Sequence, residues 1–141
     1  MSVGPLWTQM NQQPRRSMQT LVRGDIPDQP GVYAVYRDDR PIYVGLAEKQ
    51  TLRDRIWKNH SGRGAVMTGS AFRRNVAEHL GIATAAAIKN RTYQPTVEEI
   101  AAVRAFIDRC SIAWLACATA DEAKALETDF KNEWKPPLTK R

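Results

Sequence analysis

Gly31-Val32-Tyr33-Ala34-Val35-Tyr36-Arg37-Asp38-Asp39-Arg40-Pro41-Ile42-Tyr43-Val44-Gly45 is the stretch on which the fold turns. Val32–Tyr36 is β-branched and aromatic, as is Ile42–Val44, and four polar residues, Arg37–Arg40, separate the two runs. Two short runs of this kind across so brief a polar link predict a β-hairpin. Upstream, Pro27-Asp28-Gln29-Pro30 is turn chemistry that lets the first strand begin cleanly. A lone hairpin is marginal in water, so a third strand is required. Ser111–Ala118 supplies it as a buried apolar run.

Helical periodicity fills the space between. Thr51 to His60 predicts a helix with Leu52, Ile56 and Asn59 on one side, stopped by Ser61-Gly62-Arg63-Gly64. Ser70 is placed to cap a second helix to Leu80, with Phe72, Val76 and Leu80 at helical spacing. Ile82 to Gln94 reads as a loop. Thr96-Val97-Glu98-Glu99 and Thr119-Ala120-Asp121-Glu122 are both capping boxes, opening helices to Asp108 and Trp134. The expected fold is therefore α+β, a small three-stranded antiparallel sheet flanked by helices in the order β-β-α-α-α-β-α. Residues 1–25 are expected to form an arm, with a short helical face at Met18, Leu21 and Val22, and residues 26–141 the domain.

The chain's 141 residues suffice for one domain with a core of its own. No apolar run approaches the ~18 residues of a membrane span. No basic segment followed by an apolar stretch opens the sequence, which sets the expectation of a cytoplasmic protein. Cys110 and Cys117 match no zinc spacing and read as buried thiols. The net charge of +6 suits a polyanionic partner.

One carboxylate stands out before any family is considered. Ala123, Leu126, Phe130 and Trp134 define the apolar face of the last helix, and Glu127 falls inside that arc. A carboxylate aimed at a core costs several kcal/mol unless it is paired or metal-bound, so ~4 kcal/mol is at stake here. Three accounts stay open on these grounds: a structural pair with an arginine, an escape to the surface, or a metal-binding or catalytic role. Tyr33 and Tyr43, one per strand, equally fit ordinary strand packing.

Gly31-Val32-Tyr33 and Tyr43-Val44-Gly45 are near-mirrored tripeptides. Downstream come Arg55 within Leu52-Arg53-Asp54-Arg55-Ile56, then Ala125-Leu126-Glu127, then Pro136-Pro137-Leu138. In this order the segments resemble the GIY-YIG nuclease superfamily, with valine in place of each isoleucine. Ser70-Ala71-Phe72-Arg73-Arg74 is similar to a segment of stand-alone bacterial members. The resemblance runs from about Pro30 to Lys140.

That resemblance implies a metal-dependent endonuclease acting on DNA. It implies Tyr33 as general base supported by Tyr43, Arg55 on the phosphate, Glu127 as ligand to Mg²⁺ or Mn²⁺, and His60 as a further acid or base. A base role requires that neighbours lower the phenol's pKa from its free value near 10. Arg53, Lys58, Arg63, Arg73 and Arg74 mark an expected DNA path, although a solvated helix face explains them equally, and Trp57 fits base stacking or core packing alike. Where the family usually has asparagine after Pro-Leu, this chain has Thr139. The alternative reading is a non-catalytic nucleic-acid-binding domain that keeps the fold, and a protein-interaction domain is a third. With one site per chain, a monomer or weak homodimer is expected.

The catalytic arrangement also predicts a hairpin register. If Asp38 and Asp39 alone turn the chain, Arg37 pairs with Arg40 and the tyrosines face opposite sides. A three-residue turn, Asp38 to Arg40, pairs Val35 with Tyr43 and Tyr33 with Gly45, and both hydroxyls share a face. The second arrangement is expected.

Overall fold

The computed structural model describes residues 4–59 and 70–139. The elements are α1 (Pro5–Asn11), β1 (Arg16–Ser17), β2 (Gly31–Arg37), β3 (Arg40–Ala47), α2 (Leu52–Asn59), α3 (Ala71–His79), α4 (Ala85–Lys89), α5 (Val97–Asp108), β4 (Ser111–Ala116) and α6 (Ala120–Glu133). The strands form one antiparallel sheet in the order β1-β4-β2-β3. Among the described residues no helix is long and apolar enough to cross a membrane.

The hairpin and its third strand lie where the sequence placed them, with β2 at the centre between β3 and β4. The sheet has four strands, not three. Arg16 and Ser17 pair with Ile112 and Ser111. Two polar, exposed residues carry no alternation for a pattern to register. Ile82–Gln94 is not wholly loop either: α4 occupies Ala85–Lys89, and the Thr84 hydroxyl caps it by accepting from the Ala87 N–H at 3.1 Å. Five residues are too few to show a helical period. Thr96 and Glu99 complete their capping box, whereas Glu122 reaches past Thr119 to accept from the Ala118 N–H at 3.3 Å.

β2 is buried on both faces, so two cores form. Tyr33, Val35 and Tyr43 pack with Leu52, Ile56, Phe72 and Ile107 on one side. Val32, Ala34, Tyr36 and Val44 pack with Phe130 on the other, together with Trp7 and Met10 of α1. The N-terminal helix is thus docked on the domain. Trp7 Nε1 donates to the carbonyls of Phe130 and Trp134 at 3.1 and 3.0 Å, and the Glu133 carboxylate accepts from the Leu6 and Trp7 N–H groups.

The hairpin turn corrects one expectation while keeping its consequence. Asp38 and Asp39 both adopt positive φ (51° and 66°), and Arg37 pairs with Arg40, so the turn has two residues and not three. Aspartate tolerates this left-handed backbone better than most residues. Yet Val35 still faces Tyr43 and Tyr33 still faces Gly45. A bulge reconciles the two: Tyr36 pairs with Pro41 and Val35 with Tyr43, which leaves Ile42 as one extra residue on β3. That residue restores the phase a two-residue turn would have lost. The Ile42 carbonyl turns outward to accept from the Leu138 N–H at 2.8 Å, so the C-terminal segment covers the β3 edge at the bulge.

Candidate active site

The tyrosine pair follows from this register. Tyr33 and Tyr43 project to the same face of the sheet, their ring centroids are 6.2 Å apart, and their hydroxyls share a hydrogen bond. Gly45, opposite Tyr33, makes the arrangement possible. A Cβ there would overlap the Tyr33 Cζ and hydroxyl and lie 2.7 Å from Cε1. The Tyr33 ring therefore lies across its partner strand where a side chain would otherwise stand.

Arg55 enters from α2, whose N-terminus is held when the Thr51 hydroxyl accepts from the Asp54 N–H at 3.3 Å. Its guanidinium donates to the Tyr33 hydroxyl. Arg55 Nε is buried and has no hydrogen-bond partner among the described residues. Glu127 arrives from α6 on the far side of the β3 edge. Its carboxylate pairs with Lys131 one helical turn on, Oε1 to Nζ at 3.1 Å, and both side chains are mostly buried (16% and 23% exposed). Among the described residues its ion pair is with a lysine, where the sequence reading weighs an arginine. Glu127 faces a cleft of about 920 Å³ lined also by Tyr43, Arg55, Arg74, Lys131 and Thr139.

Electrostatics tie these groups together. Burial pushes the Tyr33 hydroxyl well above its ordinary pKa, Tyr43 adds to this, and Arg55 opposes it without prevailing. Burial likewise raises Tyr43, again against the pull of Arg55. Burial works against the Arg55 charge, but the tyrosines and Glu127 outweigh it and keep the guanidinium cationic. The net effect on Tyr33 is opposite to the lowering that a general base requires. As it stands, the site holds two neutral phenols between a cation and a carboxylate.

Thr139 fills a defined post. Its hydroxyl accepts from the Val44 N–H at 3.0 Å, while Asn75 Nδ2 donates to the preceding Leu138 carbonyl at 2.9 Å. Threonine thereby meets a buried backbone donor next to Tyr43, a task open to any short side chain with an acceptor oxygen.

The residues of the expected DNA path divide. Arg74 lines the cleft. Arg53 donates through Nε to the Ile26 carbonyl at 3.0 Å and approaches Asp28, anchoring α2 to the segment before β2. Arg73 is buried, 6% exposed. Trp57 packs against the core. His60, Arg63 and the Lys58 side chain lie outside the described residues. Lys49, Lys89, Lys131 and Asn75 border the cleft and escaped the sequence reading. Lys131 alone left a signal, standing one turn from Glu127.

Among the described residues, no three His, Cys, Asp or Glu side chains gather to hold a metal ion. Glu127 is the carboxylate of the cleft together with Glu48 at its rim. Mg²⁺ commonly retains several waters and takes only one or two protein carboxylates beside substrate phosphate. A single buried-edge carboxylate beside an open cleft fits that demand.

Searches of curated proteins and of solved structures gave no significant match to the chain. The family model of the GIY-YIG catalytic domain matches residues 26–141. That span contains all six segments that carried the resemblance, and the chain belongs to the GIY-YIG catalytic domain family.

Proposed function

We propose that this protein is a divalent-metal-dependent endonuclease that hydrolyses DNA phosphodiester bonds at the cleft lined by Tyr43, Arg55 and Glu127, with Tyr33 buried behind them. Its family is one of nucleases, so a nucleic-acid substrate follows from membership. One observation supports the finer reading: Tyr43 of β3, Arg55 of α2 and Glu127 of α6 line one cleft, and Tyr33 of β2 lies buried directly behind it, bonded to Arg55 and Tyr43. The unsatisfied Arg55 Nε supports it further, because a buried donor without a partner is costly and a phosphate oxygen would satisfy it.

In this role Arg55 binds the scissile phosphate and neutralises charge as it builds. Arg74, Lys49 and Lys89 hold flanking phosphates at the cleft rim. Held at Glu127, with water and phosphate oxygens completing its shell, Mg²⁺ or Mn²⁺ would supply charge stabilisation at the phosphate and leaving oxygen. Tyr33 as phenolate takes the proton of the attacking water through the hydroxyl of Tyr43, which lines the cleft and passes its own proton inward to the Tyr33 oxygen held by Arg55. Because burial favours the neutral phenol, the phenolate is a minority species. Its fraction grows tenfold per pH unit below the pKa. Lys131 holds the Glu127 carboxylate in place and must yield Oε1 to an incoming cation.

The test is nicking of supercoiled plasmid with Mg²⁺, with Mn²⁺ and with EDTA. Wild-type protein should nick only with metal, and Glu127→Gln should abolish nicking while retaining DNA binding. Nicking by Glu127→Gln at the wild-type rate would remove Glu127 from the site. DNA binding without metal-dependent nicking by wild type would favour the non-catalytic alternative.

A further inference from the structure

A second cavity, of about 1120 Å³, opens beside the hairpin turn between the ends of α3 and α5. Its lining includes Arg37, Arg40, Arg109 and His79, against a single acid among the described residues, Asp38. The floor is aromatic. Phe106 carries the Arg37 guanidinium 4.1 Å above its ring and the His79 ring 5.6 Å away edge-on. Neither the Arg40 nor the Arg109 side chain forms an ion pair among the described residues, and both residues are exposed. Three arginines thus line one cavity. The fold leaves them with less counter-charge than it gives Arg15, Arg16 or Arg23, each paired with an aspartate.

The position matters as much as the charge. β3 is the edge strand, and it borders both cavities: Arg40, Pro41 and Ile42 line this one, and Tyr43, Val44, Leu46 and Ala47 line the candidate catalytic cleft. α3 does the same, with His79 and Leu80 here and Arg74 and Asn75 there. The two cavities therefore lie in series along one edge of the molecule. The eight residues of β3 extend over about 26 Å at the usual strand rise, which matches ~8 base pairs of duplex at 3.4 Å per step.

We propose that this arginine-lined cavity is a second DNA-contact site, which grips the phosphodiester backbone on one flank of the bond being cut. It rests on the nuclease reading for its purpose but not for its test. Arginine forks match phosphate oxygens, and the Phe106 ring beneath Arg37 holds that guanidinium at the cavity. Engagement at both cavities fixes the direction in which the substrate crosses the cleft.

The experiment is a salt titration of binding to a 24-base-pair duplex and to the corresponding single strand. Fluorescence anisotropy is read in EDTA, so that cleavage plays no part. The Arg40→Glu/Arg109→Glu double variant should bind at least tenfold more weakly at 100 mM salt, and its salt slope should fall by about 2. Arg40→Lys/Arg109→Lys should keep the wild-type slope, and thermal melting should show both variants folded. Loss on the duplex places a duplex flank in the cavity. Loss confined to the single strand places an unpaired strand there, and either result supports the site. Unchanged affinity and slope would overturn it, as would an equal loss in the lysine variant, or binding of an acidic polyglutamate peptide that DNA does not displace. Failure of wild type to nick plasmid would count against the nuclease reading and leave this result standing.

Discussion

Gly45→Ala is the most informative single change. The added methyl would overlap the Tyr33 Cζ and hydroxyl, and Tyr33 is fully buried. Forcing an extra carbon into a packed core costs about 1–3 kcal/mol. Replacing glycine where no positive φ is needed returns about 0.4–1 kcal/mol by restricting the unfolded chain. The net loss is anything up to about 2.6 kcal/mol, a fall in Tm of up to about 8 °C for a domain of this size. The effect on cleavage should exceed the effect on folding. The ring must swing or the strands must part, and a shift near 1 Å in a catalytic group can cost on the order of 100-fold. Thermal melting and single-turnover cleavage of an end-labelled duplex read the two effects separately. The same substitution in a Tyr33→Leu background removes the overlapping atoms, so its stability cost there should shrink by about 1 kcal/mol or more. An alanine variant that melts and cuts like wild type, or that costs the same in both backgrounds, would refute the placement of Tyr33 across Gly45.

Three further outcomes are expected. Tyr33 and Tyr43 are raised by burial, Tyr36 is pushed up to about 12 by burial, and Tyr93 is raised by its hydrogen bond to Glu99. The folded protein should therefore show little tyrosinate absorbance at 295 nm at pH 10, where unfolded tyrosines are half ionised. Since the folded pKa values lie above the unfolded ones, the stability these phenols contribute is complete below pH 10 and drains away as pH climbs; ordinary titration of the folded protein would contradict the burial of Tyr33, Tyr36 and Tyr43. Thr139→Val removes the acceptor of the buried Val44 N–H and should cost about 1–3 kcal/mol, with Thr139→Ser near wild type, and equal melting of all three would dismiss that bond. Lys131→Met takes a competing cation from Glu127 and should tighten Mn²⁺ binding on the order of fivefold by calorimetry, whereas weaker binding would show that Lys131 is no competitor.

The hairpin, the third strand and the long helices were legible because each carries a period or a cap that survives in one dimension. Phe72 and Val76 of α3, and the Thr96–Glu99 box of α5, are of this kind. The two-residue β1 and the five-residue α4 were not, being shorter than any period. The hairpin is the instructive case. From sequence, a two-residue Asp38-Asp39 turn is weighed and set aside for a three-residue one, because a shared tyrosine face demands an extra residue. Nothing local in Pro41-Ile42-Tyr43 says that a bulge supplies it, because the partner of the bulged carbonyl is Leu138, far along the chain. Glu127 was visible as a charge inside an apolar arc. Arg53 and Arg73 looked like surface cations, and only the fold shows one anchoring α2 and the other buried. The cleft's lysines, Lys49 and Lys89, come from a loop and from α4, elements with no pattern to read.

The central claim is that one cation and one phosphate meet between Glu127 and Arg55. Anomalous diffraction from crystals grown with Mn²⁺ and a duplex made resistant to hydrolysis measures this directly. The account predicts a single strong peak on the Glu127 carboxylate, a phosphate oxygen on the Arg55 guanidinium, and Lys131 displaced from Oε1. A Glu127–Lys131 pair still closed, with Mn²⁺ bound elsewhere on the protein, would contradict it.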